Sequence, residues 1–486
     1  MRLPGFFLSG VNRHTACYVA VYMSSATDAV IAANRFGLGA KPGELLALAS
    51  GARDALDAQL HGPVQQPAAT LQSSAQILTA LATARRQQRQ ARQSNAAPDV
   101  VAVAVNLGQV LRPLYVADCV ARLQLAVTSE RSFVERLVHF WSNHFAVSVD
   151  KLQVLGLAGA MEREAIRPNV LGNFAQMLQA VEQHPAMLLY LDNVASTGPQ
   201  SIAAQRLRGR AAVRVPGLNE NLGREILELH TLGVDGGYSQ KDVTTLAAMI
   251  TGWSVEGGDG LLADAETGRF RFREVLHEPG AKSLLGRTYY QDGVEQGQRA
   301  LRDLALHPRT AHHLATKLVR HFAGDEPAPS VVQHVAAAYL KADGDLPSTY
   351  RALLACHEVW EPQLSKFKTP ADYIHSIWRA LALPIADNAR ALAPFDQLGQ
   401  RLFAPGSPAG WPDISAGWDG SSSLLKRIEL VHGVAQRTAS RVDALALAEA
   451  SLGPSLSPAT RTAIARAQDG VQGITLLFAS PEFMRR

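Results

Sequence analysis

The chain has 486 residues, more than a single ordinary hydrophobic core at roughly 150 residues per domain. Apolar residues make up 47% and charged residues 19%, which excludes bulk disorder; 47 Lys and Arg against 43 Asp and Glu leave +4, too mild for an electrostatic nucleic-acid binder. The widely spaced Cys17, Cys119 and Cys356 exclude a disulfide scaffold and a CxxC metal knuckle, and 6% aromatics with abundant Ala favour helices over a sandwich or barrel.

From the N-terminus, Asn12, Arg13 and His14 interrupt any signal-like apolar run, and neither a twin arginine nor a small-residue cleavage site follows. Met23 then opens SSATDAVIAANRFGLGA, with Thr27 or Asp28 as helix cap. Residues 1–22 are therefore expected to be unstructured or not made, and the cytoplasm is the default compartment. No run reaches the roughly 18 apolar residues that span a bilayer. Residues 63–76 and 85–98, rich in Gln, Ala, Ser and Pro, read as linkers or frayed helix ends, and Arg85, Arg86, Arg89 and Arg92 as a solvated face.

Ser132-x-x-Glu135 has the form of a capping box, opening a helix with Phe133, Leu137, Phe140, Trp141 and His144 on one side. Residues 167–191 place Phe174, Met177, Leu178 and Val181 at helical spacing and restart at His184-Pro185, with Pro in the first turn. After an Arg- and Gly-rich excursion at 194–216, residues 219–232 read as a helix ended by Gly233. Ser239-x-x-Asp242 opens another helix through Ile250. FRFREV at 270–275 is the clearest strand, expected to pair with 284–290 through a loop carrying His277. His307-Pro308 starts a long helix to Phe322, and one or two more cover 330–356. The loops 257–268 and 405–423 hold glycine clusters, the second with Trp411 and Trp418; helices are expected at 426–437, 458–467 and 474–479. The pattern predicts an all-α fold, a large multi-helix assembly with a short β-hairpin excursion near 270–290. Its main helical domain covers 23–360, and a C-terminal helical lobe at 361–486 packs on it.

The densest polar stretch is NENLGREILELHT at 219–231. On a helix turning about 100° per residue, Leu222, Ile226 and Leu229 form one stripe, while Asn221, Glu225 and Glu228 share another side. Arg224 lies four residues from both Glu220 and Glu228 and can bridge them. Glu225-x-x-Glu228 is similar to the Glu-x-x-His geometry of carboxylate metal sites in helix bundles, which makes Glu225, Glu228 and His144 the candidates for a divalent metal, although no motif requires one. In HFWSNHF at 139–145, His139 and His144 are five apart and cannot form an i, i+4 zinc pair. His139 shares the face of Glu135 and Asn143, and His144 that of Phe140 and Trp141. A buried imidazole needs a polar partner, for which Glu228 and Asp192 are the candidates. Asp192-Asn193 reads as a cap, His277 and Lys282 as turn residues aimed at a cleft, and His312, His313 and His321, with Lys317 and Arg320, as packing or solvated. HExxH, GxSxG, Walker and GxGxxG motifs are missing, so zincin, α/β-hydrolase, P-loop and Rossmann chemistry are excluded.

FWSNHF, NENLGREILELHTLGVDGGYSQKDV, TGW, HEPGAKSLLG, the late AGWP and the closing SPEFMRR together resemble the bacterial family catalogued as domain of unknown function 1800, from Asn34-Arg35-Phe36-Gly37 onward. The resemblance singles out Trp141, Asn143, His144, Asn219, Glu220 and Asn221, then Arg224, Glu225, Glu228, His230 and Gly233. Further on it singles out Asp242, Gly252, Trp253, His277 and Lys282. Leu222-Gly223 departs from the family's more usual aromatic followed by Ala. The resemblance carries no settled activity. It implies a sulfatase- or alkaline-phosphatase-like neighbour protein as a partner, and some members look exported.

These readings converge on an enzyme with a carboxylate/histidine centre acting on an anionic substrate. Glu228, Glu225, His144, Arg224 and His277 are its expected catalytic residues, and Lys282, Asn143, Asn221, Trp141 and Trp253 its substrate contacts. The competing expectation is a non-catalytic binding or assembly module, in which the same polar residues form a buried network that fixes helix packing.

Overall fold

Short polar residues placed at helix starts organise the chain. His184 Nδ1 accepts from Ala186 N at 3.1 Å and His307 Nδ1 from Arg309 N at 3.1 Å, each ahead of a proline whose missing N–H costs the first turn nothing. Ser239 and Asp242 close the expected capping box on helix Gln240–Met249. The expected box at Ser132 does not form: Arg131 is the N-cap of helix Ser132–His144 and makes no side-chain cap. The Glu135 carboxylate is instead held by the buried guanidinium of Arg167 at 2.8 Å through both oxygens.

The computed structural model describes residues 25–68, 70–93, 107–208, 217–257, 268–290 and 293–486. The expectations for 1–22 and Met23 lie outside them, as do parts of the 85–98, 194–216 and 257–268 segments. The fold is all-α in class, 62% helical. Among the described residues the β structure is two two-stranded sheets. The strands differ from expectation in their partners. Strand β1 (Trp253–Val255) pairs antiparallel with β2 (Phe270–Phe272), and β3 (Lys282–Leu284) with β4 (Arg287–Tyr289). Leu285 and Gly286, at φ 48° and 78°, turn the chain back at once, so 282–289 closes on itself as a tight hairpin and cannot pair with 270–275.

Two apolar cores result. The first draws on residues from Ile31 to Trp360, with Ala404, and includes Phe36, Phe133, Trp141, Phe174, Phe322 and Tyr350. The second joins Phe367–Met484 residues to Cys119, Val120, Leu123 and Val127 of helix Leu107–Thr128, so that helix serves both halves. No helix among the described residues is long and apolar enough to cross a membrane.

Helix Asn221–Glu225 continues as a π-turn, Ile226–His230, with Thr231 Oγ1 donating back to the Ile226 carbonyl at 2.6 Å. The wider turn breaks the 100° spacing on which the face assignments of this segment rest; such turns recur at functional sites. Gly223 is needed here. A Cβ would lie 2.9 Å from the Ala247 backbone nitrogen, so this glycine lets helix Gln240–Met249 approach closely, more than it loosens its own helix.

Candidate functional site

Helix Ser132–His144 has two buried faces. Phe133, Leu137, Phe140 and Trp141 enter the first core. Glu135, Arg136, Ser142 and Asn143, at helical spacing, face polar partners, and His139 on the same side faces the His375 ring. Of these, Arg136, His139, Ser142 and Asn143 line a partly open cavity of about 120 Å³, room for several waters or a small ligand. Its other walls come from residues 158–166, from helix Pro308–Phe322 through Lys317 and His321, and from Thr369–Asp372 and the 400–413 loop. The cavity thus opens where the two cores meet, a usual place for a ligand site.

Three carboxylates reach it, and each is held by neighbours. Glu162, from a second π-turn (Glu162–Ile166), meets Arg122 at 2.7 Å and Arg167 at 3.2 Å, and accepts from Ser142 Oγ at 2.8 Å. Asp372 meets Arg136 and Arg486, each at 3.0 Å. Asp413 meets His321 Nδ1 at 2.9 Å and Lys366 at 3.0 Å. Burial would push the Asp372 and Asp413 carboxyls up, but the Arg136 and Arg486 charges on the first, and the His321 contact with the Lys366 charge on the second, outweigh it and hold both well below the usual carboxylate range.

The imidazoles respond oppositely. Burial, with Arg486 and Arg136 adding to it against Asp413, pushes His321 down to about 4, so it is neutral at pH 7. Burial and the Arg122 charge hold His139 well below its ordinary value. Its ring lies 5.0 Å from that of His375, which burial pushes down to about 3. Lys317 sits one turn before His321. No hydrogen bond or ion pair reaches it among the described residues, and burial lowers it to about 8. His321 and Asp413 keep 12% and 24% of their side-chain surface accessible. Both line the cavity.

The loop carrying Asp413 is tied to the helix by Asn143. Its Nδ2 donates to the Trp411 carbonyl at 2.9 Å, and its Oδ1 accepts from Trp411 N at 2.8 Å. Gly410, at φ +81°, lies so close that a Cβ would stand 2.4 Å from the Asn143 carbonyl oxygen. Gly410→Ala is therefore expected to destabilise the protein by about 1–3 kcal/mol, read as a lowered midpoint in urea; an unchanged midpoint would mean the loop does not bear on Asn143.

Of the residues predicted for the site, Asn143 and His144 line this cavity and the others do not. His144 is buried among Trp141, Phe145 and Phe174. Its polar partner is neither Glu228 nor Asp192: Nε2 donates to the His230 carbonyl at 3.2 Å, and Asp192 pairs with Lys151 at 2.6 Å. His230 in turn places Nδ1 2.7 Å from Glu182 Oε1, both side chains fully buried. Arg224 does not bridge to Glu228; it pairs with Glu220 at 3.2 Å and Gln240 at 3.0 Å. Glu228 accepts from Tyr238 at 3.3 Å. Burial, with the Glu228 charge adding to it, raises the half-buried Glu225 carboxyl. Asn221 is exposed and its backbone nitrogen donates to Asn219 Oδ1 at 2.9 Å.

His277 is buried, with Nδ1 2.9 Å from the Thr251 carbonyl. Lys282 ties its turn together through the Glu278 carbonyl at 2.6 Å and Gln296 at 2.7 Å, so neither residue is aimed at this cavity. Trp141 donates to the Tyr350 hydroxyl at 2.7 Å inside the core, and Trp253 packs edge-on against Phe270. No group of three or more His, Cys, Asp or Glu is placed to hold a metal ion among the described residues.

The sequence reads Lys317 and His321 as packing or solvated, and singles out neither Asp413, Asp372 nor the arginines around them. Lys317 and His321 had one visible signal, their four-residue spacing, which sets them on one helix face. Nothing local tied them to Asp413, 92 residues beyond His321. No curated protein and no solved structure matches the chain. A family model does, over residues 31–485, and the chain belongs to that family, described as a protein of unknown function (DUF1800).

Proposed function

We propose that the cavity is the acid–base centre of an enzyme acting on an anionic substrate. His321 is the base, Asp413 orients its ring, and Lys317 supplies positive charge to the reacting group. Asn143 and His144 belong to the same centre, the first by holding the Asp413 loop and the second as part of the wall. The observation carrying this reading is the 2.9 Å contact between His321 and Asp413 in a cavity that also holds Lys317 without a carboxylate of its own. A carboxylate on Nδ1 fixes the tautomer that leaves Nε2 as the acceptor; that nitrogen faces Arg136 Nη1 at a long 3.4 Å, a contact that a substrate proton displaces. Environments that push two titratable groups apart, one neutral and one charged at the same pH, are how acid and base roles are divided.

The expected pH dependence follows from the two values. Activity falls below about 4 as His321 takes a proton, and above about 8 as Lys317 loses one, giving a bell-shaped profile with a broad plateau between. Rates on a panel of chromogenic phosphate, sulfate and carboxylate esters, measured across pH, test this. The alkaline limb should vanish from the profile of Lys317→Met; an unaltered limb in that variant rules Lys317 out of the centre.

A further inference from the structure

Charge around the cavity does not balance. Each lining carboxylate is already met: Glu162 by Arg122 and Arg167, Asp372 by Arg136 and Arg486, and Asp413 by Lys366, which it shares with Asp325 at 3.4 Å. Lys317 is the cation left over. Asp413 draws on it from a distance and Arg320 repels it, but no carboxylate pairs with it among the described residues. A half-buried ammonium on a cavity wall without a counter-charge is costly, and it is most cheaply completed by an anion entering the cavity. His139 adds a neutral group on the same lining: its Nε2 is buried and has no hydrogen-bond partner, so the imidazole can donate to a ligand without adding charge. The space, about 120 Å³, suits a small head group and not a polymer.

We infer that the cavity binds a compact oxyanion, the phosphate, sulfate or carboxylate group of its substrate, on Lys317, with His139 as a second donor. This rests on the acid–base reading above and names the substrate class for the same site. The bound anion also offsets the field of Arg136 and Arg486 on His321, which makes that imidazole a better base when the site is filled than when it is empty.

Equilibrium binding tests the inference without needing turnover. The full chain is titrated calorimetrically with inorganic phosphate, sulfate and acetate at neutral pH. Saturable binding of at least one of them is expected. Affinity should fall about tenfold or more in Lys317→Met, which is about 1.4 kcal/mol, and be retained in Lys317→Arg, which keeps the charge and guards against a mere folding defect. It should be unchanged in Arg299→Met, an exposed arginine elsewhere. Binding should also weaken as pH rises past about 8 and the ammonium is lost; the other groups facing that ammonium are Asp413, Arg320, His144 and His313. If none of the three anions binds, or if Lys317→Met binds as well as the parent protein, the inference falls while the His321–Asp413 base still stands. Conversely, anion binding that survives in a His321→Asn protein of full activity removes the base and leaves the oxyanion site.

Discussion

Arg167→Met is expected to lower the stability of the protein by about 3–5 kcal/mol, a large share of the roughly 5–15 kcal/mol that holds a typical domain together. Arg167 and Glu135 are fully buried and joined by two 2.8 Å hydrogen bonds, and Arg167 also reaches Glu162 at 3.2 Å. Removing the guanidinium leaves the Glu135 carboxylate in the interior with its countercharge gone, and desolvation that the pair had offset is then uncompensated. The double variant Glu135→Met/Arg167→Met should recover most of the loss, because two apolar side chains of similar size need no pairing. Urea unfolding of the two single variants and the double variant measures this directly. A single-variant loss under about 1 kcal/mol would mean that water reaches Glu135 and that the pair behaves like a surface one.

His321→Asn and Asp413→Asn are each expected to reduce turnover by about 10²–10⁴-fold, the usual worth of a positioned general base. They act differently. Asn at 321 removes the proton acceptor. Asn at 413 leaves the ring but removes the carboxylate on Nδ1, so the tautomer that leaves Nε2, beside Arg136 Nη1 at 3.4 Å, as the acceptor is no longer enforced. The acid limb of the pH profile should therefore disappear from the first variant and persist, displaced, in the second. Asp413 also meets Lys366 at 3.0 Å, so thermal melts must accompany the rates. A loss of activity that tracks melting temperature alone, with the pH profile unmoved, would assign the pair to structure and favour the assembly-module reading.

How much was legible without the fold depends on how local each interaction is. His184-Pro185, His307-Pro308 and Ser239-x-x-Asp242 each carry their own partners within two or three residues, so the helix starts and the all-α class could be read directly. The polar stripe of helix Ser132–His144 was also visible, and Asn143 and His144 do line the cavity. Ser132 misled because the same residue pattern serves as a cap only while Glu135 is free, and a distant arginine claims Glu135 first. The run at 219–231 misled for a different reason: one π-turn shifts every later side chain, and nothing in the residue types announces the change of pitch.

The amino-acid order by itself determined the helices, their apolar faces, and the absence of the familiar catalytic and metal motifs. Which charges meet was decided by the tertiary structure alone, because His321 with Asp413, Asp372 with Arg136 and Glu135 with Arg167 are joined across stretches of 92, 236 and 32 residues. Local propensity acts over a few residues. The cost of burying an ion is settled only when the whole chain has packed and chosen its counter-ion.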